Sequence, residues 1–241
     1  MSVNETIIDA ETADGPMAVV RKKPDAGTDK RVMIFMDAPG IRASLHEYAV
    51  RLAGEGYEVA IPDLWHRHGR LIGYEPADIA ADPLRRAHIG EMLGTLTDAG
   101  TDMDREAALA ALGWDTGSLG AIGFCMGARG VHRAMIAHPD RFVAGAMWHP
   151  SFLTDDTDAS PHLTVDDLAG QLYIGIGTAD RVQSIEMHQR YLDAAALRDN
   201  IEVNVIDGAD HGFTWPISPN YHEQGAEESW SATLDLFGRR L

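Results

Sequence analysis

Cys125 is the only cysteine in the 241 residues. An internal disulfide is therefore excluded, and nothing in the composition demands an oxidising compartment. No apolar run is long enough to cross a bilayer. Residues 1–30 lack a basic start followed by an apolar stretch, so no secretory signal is expected. Basic residues are also scarce: Lys and Arg total 20 against 37 Asp and Glu, a formal net charge of −17. A surface that negative repels phosphates and anionic lipid, so neither nucleic acid nor a membrane is expected as a partner. The expected location is the cytoplasm. There is no repeat, low-complexity tract or long linker.

What is present suits one large α/β domain over residues 1–241. Apolar residues make up 45% and charged residues 24%, enough for a core without a structural metal. "VMIFMDAPG", "YEVAIPDL", "SLGAIGF", "FVAGAMWHP", "QLYIGIGTAD" and "IEVNVID" read as strands. Helical segments lie between or after most of them, including "SLHEYAVRLAGEG", "MGARGVHRAMIAHP", "VQSIEMHQRYLDAAALRD" and "EESWSATLDLFGRRL". Two more are expected at about Pro83–Asp98 and Asp102–Leu112, after a polar region from Trp65 to Ala81 read as loop. Such alternation predicts a doubly wound, mostly parallel sheet flanked by helices. Pieces around Thr6–Asp9 and Met17–Val20 would add antiparallel edge strands. Residues 151–168 read as a loop excursion near the active site. In open sheets of this kind, functional loops gather at the carboxyl ends of the strands.

Cys125 sits in "GAIGFCMGARG", where a strand turns directly into a helix. A residue at such a corner is strained, and side chains two places before and after it would collide. Gly123 and Gly127 remove both collisions. The corner thiol then projects at a helix N-terminus, where the backbone N–H groups favour a thiolate. The bland alternative is an inert buried cysteine in a glycine-rich turn. A nucleophile needs a base and an orienter, which in α/β-hydrolases follow in the order acid, then histidine. Asp180 follows "YIGIGTA" and His211 lies in "VIDGADHGF", both past the ends of strands. His211 would take the thiol proton and Asp180 would fix its tautomer. The alternatives are that Asp180 only caps the next helix, that Asp207 or Asp210 is the acid, or that His211 is an ordinary loop histidine. Oxyanion donors would be the backbone N–H groups of Met126 and Ala38. Pro39 has none to give.

With these residues assembled, the sequence resembles the dienelactone hydrolase family. "FMDAPGIR", "GYEVAIPDLW", "GFCMGARG", "GTAD" and "GADHGF" occur in family order across nearly the whole chain. The resemblance implies an α/β-hydrolase fold, no added cofactor, and a Cys125–His211–Asp180 triad. That triad would open enol-lactones or related esters through an acyl-thioester. It also implies a thiol-activating role for Asp37, where the family usually has glutamate. A second departure is Trp215, four residues past His211, where founding members carry a carboxylate-binding arginine. A less charged ester or lactone is therefore expected as substrate. His149, Trp148 and Trp215 are candidates to line its pocket, and Arg85 is a candidate to bind a carboxylate. His66 and His68 have the spacing of some metal sites, but no completing motif, and no metal is expected. The Asp-rich run Thr154–Asp158 reads as a solvated turn. The competing function is a non-hydrolytic thiol-based binder or redox sensor on the same fold. An amidotransferase-like site is disfavoured because no His and Glu two apart follow near the C-terminus. A monomer or homodimer is expected.

Overall fold

The structure, a computed structural model, describes residues 2–241. Its internal contacts divide the chain into two compact units, Met1–Gly117 and Ser118–Leu241.

The first unit opens with a long antiparallel hairpin, β1 (Val3–Thr12) and β2 (Gly15–Pro24), in register from Val3 with Pro24 to Thr12 with Gly15. Strand β2 then pairs antiparallel with β4 (Glu58–Pro62), and β4 pairs parallel with β3 (Arg31–Phe35). Helix α1 (Ala43–Gly54) links β3 to β4 and buries Leu45, Tyr48, Ala49 and Leu52, the face expected from their helical spacing. Strand β4 is buried along its whole length, as a strand covered on both faces must be. The region from Trp65 to Ala81 is loop only as far as Glu75. A short helix, α2 (Pro76–Ala81), follows and corrects the sequence expectation. It buries no residue, so no hydrophobic period marks it. Proline at its start and a capping box between Glu75 and Asp78 hold it instead. Helices α3 (Pro83–Thr95) and α4 (Asp98–Leu112) complete the unit. Asp82 and Thr97 cap them through backbone N–H groups of Leu84 and Gly100.

The second unit is wholly parallel: β5 (Leu119–Phe124), β6 (Phe142–Trp148), β7 (Gln171–Gly177) and β8 (Ile201–Ile206) lie in chain order. Helix α5 (Gly127–Ala137) joins β5 to β6, and α6 (Gln189–Ala195) lies between β7 and β8. Helix α7 (Glu223–Arg240) ends the chain. Strand parity places α5 and α7 on opposite faces. Position 145 of β6 faces Val131 and Met135 of α5. Trp148 has the other parity and donates its indole N–H to Thr233 of α7 at 3.1 Å. This double cover is why β5, β6 and β7 read as continuous apolar runs. Helix α6 is shorter than its sequence suggested, because its first turn, Ile185–His188, is a 3-10 helix.

The excursion over residues 151–168 carries two short 3-10 turns, Pro161–Leu163 and Val165–Asp167. It is stitched to α5. Arg129 reaches the carbonyls of Phe152 at 3.0 Å and Ala159 at 3.3 Å, and the Asp155 carboxylate at 2.6 Å. His132 contacts Thr164 Oγ1 at 2.8 Å and Tyr191 Oη at 3.0 Å. Among the described residues, no helix is long and apolar enough to cross a membrane.

Candidate active site

Cys125 follows directly on β5 with φ of 52°. That is left-handed backbone, unfavourable for any residue with a Cβ, and it costs about 1–3 kcal/mol unless the surroundings impose it. Three backbone hydrogen bonds impose it here. The Cys125 N–H donates to Trp148 O at 3.2 Å, and its carbonyl accepts from Ala128 at 3.1 Å and Ser151 at 2.9 Å. The glycine two places earlier is required by close approach: a Cβ on Gly123 would stand 2.3 Å from the carbonyl oxygen of Gly127. Gly123→Ala should therefore cost about 3 kcal/mol or more, as overpacking against rigid backbone does. Urea or thermal unfolding measures this, and a loss under about 1 kcal/mol would show that the corner tolerates the extra carbon. The sulfur is half-buried and stands at the head of α5, whose first N–H groups have no partner within the helix.

Because β5, β7 and β8 run parallel, the residues beyond their carboxyl ends share one edge. Asp180 lies three residues past β7 and His211 five past β8. The two loops touch: Thr178 donates to Ile206 O and Ala179 to Ala209 O, each at 3.0 Å. A Cβ on Gly177 would lie 2.0 Å from Ala209 O, so a bulkier residue there would force the loops apart. The result is a hydrogen bond from His211 Nδ1 to Asp180 Oδ2 at 2.8 Å. The other oxygen of Asp180 accepts from the N–H groups of Val182 at 2.9 Å and Gln183 at 2.8 Å. Both sequence readings of Asp180 thus describe the same side chain: one oxygen caps a turn and the other holds an imidazole. The rival acids are engaged elsewhere. Asp210 pairs with Arg181, and Asp207 accepts from Thr178 Oγ1 at 3.1 Å.

The far nitrogen of His211, Nε2, is buried and has no nitrogen or oxygen partner. Cys125 is the group that acts there. Burial pulls the His211 pKa down, but the Cys125 charge and hydrogen bonds with Asp180 and Cys125 outweigh it. The pKa is pushed up to about 10 from an ordinary 6.5. The charged form of the imidazole is thus favoured at neutral pH.

Other candidates separate. His149 is buried against the site: its ring lies 5.0 Å from that of His211, and its Nε2 is 3.0 Å from Thr214 Oγ1. Trp215 is buried with its ring 4.7 Å from Phe124 and 6.3 Å from His149. Trp148 is buried, and its indole N–H donates to Thr233 Oγ1 at 3.1 Å. In the first unit, Asp37 is buried, and both its oxygens are bound by Arg42, at 2.5 and 2.8 Å. Ala38 is buried in the turn after β3, where its carbonyl accepts the Trp65 indole N–H at 3.0 Å. Arg85 is partly exposed and paired with Asp78 at 2.7 Å, with Tyr74 beneath its guanidinium. His66 and His68 take different partners, Asp104 and Thr95. Sequence reasoning missed Arg42, Ser151 and His188. His188 is buried close to Asp180 and His211, and burial holds it below the ordinary histidine range.

Residues 17–241 match the Dienelactone hydrolase family. The chain belongs to that family. It is 28% identical to a Salmonella typhi protein provisionally named a carboxymethylenebutenolidase, over 99% of this chain and 88% of that one. It is 26% identical to the carboxymethylenebutenolidase of Rhodococcus opacus, over 94% and 87%. Among solved structures, a protein from Klebsiella pneumoniae, provisionally named a dienelactone hydrolase, superposes with a TM-score of 0.83. That match has 20% identity and covers 99% of this chain and all of that one. A dienelactone-hydrolase-like promiscuous phosphotriesterase from metagenomic libraries gives 0.77 at 21% identity, over 100% and 99%. The α/β-hydrolase fold expected from the sequence is therefore the fold of this dienelactone hydrolase family member, and the protein is a hydrolase of that family.

Proposed function

We propose that this family member hydrolyses carboxylic esters or lactones with Cys125 as nucleophile. His211 takes the thiol proton, and Cys125 Sγ attacks the acyl carbon. The carbonyl oxygen gathers charge and is held by the N–H groups of Met126 and Ala38. As the intermediate collapses, the bond to the alcohol oxygen breaks and His211 returns its proton to that oxygen. Water, deprotonated by His211, then attacks the acyl-thioester and releases the acid and the thiolate. Asp180 holds the imidazole so that Nε2 faces the sulfur, and stabilises its charged form. The observation that carries this reading is the 2.8 Å bond from His211 to Asp180, on a ring kept charged by Cys125.

Asp37 takes the family's thiol-activating place in this proposal, its carboxylate held by Arg42. The chain acts as one α/β-hydrolase domain over residues 1–241. A thiol that must stay reduced suits the cytoplasm.

The substrate is a neutral ester or lactone. Trp215 stands where founding members carry arginine, and an indole offers an apolar face rather than a charged fork. The guanidinium of Arg85 is already met by Asp78. His149 and Trp215 supply aromatic surface beside the site. Steady-state kinetics on matched neutral and anionic esters should show kcat/KM at least about tenfold higher for the neutral one, the loss expected from one missing charged contact. A clear preference for the anionic dienelactone would refute the substrate assignment.

A further inference from the structure

The loop after β6, "HPSF", is strained twice within four residues: φ is 40° at His149 and 60° at Phe152. Such backbone persists only where the surroundings over-determine it. Here the His149 N–H donates to Gly175 O at 2.9 Å, the Ser151 N–H donates to Cys125 O at 2.9 Å, and Arg129 fixes the Phe152 carbonyl at 3.0 Å. The contorted loop delivers one side chain to the nucleophile. Ser151 is 1% exposed, and its Oγ lies 3.4 Å from Cys125 Sγ. A residue needed only to fill space would be better apolar, since a buried hydroxyl costs free energy unless it is bonded.

We propose that Ser151 is a positioning residue for the nucleophile, its hydroxyl donating to the Cys125 sulfur and holding it as a thiolate. The inference rests on Cys125 being the nucleophile. The thiol proton passes from Sγ to His211 Nε2, and the Ser151 O–H, free to rotate, turns its hydrogen toward the sulfur. Ser151 itself forms no covalent bond. Once the sulfur is acylated its charge is gone and the contact weakens. It is restored as the thiolate leaves in deacylation, so the bond favours both ends of the cycle over the acyl-enzyme. The other titratable groups of this unit near the sulfur are His211 and, around that ring, Asp180, His149 and His188. Ser151→Ala removes none of them.

The test is the rate of Cys125 alkylation by iodoacetamide against pH, with kcat/KM, in wild type, Ser151→Ala and Ser151→Thr. Loss of the donor should raise the midpoint of alkylation by about one pH unit, the size of one hydrogen bond to a charged group. At a pH near the wild-type midpoint kcat/KM should fall about fivefold with KM little changed, and Ser151→Thr should restore both toward wild type. A serine that only fills space would lower Tm and leave the midpoint where it was, which overturns the proposal. Ser151→Gly also lacks the hydroxyl and repeats the measurement if Ser151→Ala fails to fold. Cys125→Ala run in parallel separates the layers: full turnover there sinks the nucleophile assignment, and a dead Cys125→Ala with an unmoved Ser151→Ala midpoint sinks only the role of Ser151.

Discussion

Cys125→Ala should lose turnover by about 10⁴-fold or more while the fold persists, as removal of a covalent nucleophile does elsewhere. The persistence follows from what holds position 125. Three backbone hydrogen bonds, to Trp148, Ala128 and Ser151, fix it, and alanine keeps them. The strained φ of 52° is no worse for alanine than for cysteine. Thermal unfolding should therefore move by only a few degrees, about what 1 kcal/mol produces in a chain of this size. Cys125→Ser should also lose most activity, because surroundings that stabilise a thiolate do little to ionise a hydroxyl. Turnover of a neutral aryl ester by purified variants checks both, and wild-type rates in the alanine variant would exclude the thiol chemistry.

Asp180→Asn should lower kcat by about 10⁴-fold, the loss that the same exchange causes in Ser-His-Asp proteases. The asparagine oxygen can still accept from Val182 and Gln183, so the turn survives. The amide nitrogen then points a donor at His211 Nδ1, which the ring can meet only by moving its proton to Nε2, the tautomer that cannot accept from the thiol. A pH signature accompanies the loss. The His211 pKa is raised from 6.5 to about 10, so the imidazolium's contribution is complete below 6.5 and is lost as pH rises through about 10. Wild-type kcat/KM should hold its plateau well above neutrality and fall on the alkaline side near that value. Without the Asp180 carboxylate the fall should come at lower pH. An unchanged alkaline limb in Asp180→Asn would mean that Asp180 does not support the charged ring.

Much of this was legible in the chain because each strand is short, apolar and followed by a recognisable turn. "GAIGFCMGARG" gave both the corner and its reason, since Gly123 is required by the approach of Gly127 O. The first hairpin was read too short. Its strands carry Glu5, Arg21, Lys22 and Lys23, and β1 is largely exposed, so no apolar run marks ten residues of pairing. Helix α2 buries nothing and leaves no period to find. Ser151 gave no signal at all, since its approach to the sulfur depends on positive φ at two neighbours that are not glycine. Arg42 was missed because a charged residue just before a helix reads as solvated, whereas it is buried against Asp37.

The central claim is that acyl transfer passes through the sulfur of Cys125. It is tested most directly by quenching a slowly deacylated ester in acid during turnover and mapping the modified peptide by mass spectrometry. The account predicts one acyl group on the peptide "GFCMGARG", labile to hydroxylamine as a thioester is, appearing and decaying at rates that match turnover. An acyl group found instead on Ser151 or any other hydroxyl, or a peptide that stays unmodified while product forms, would contradict it.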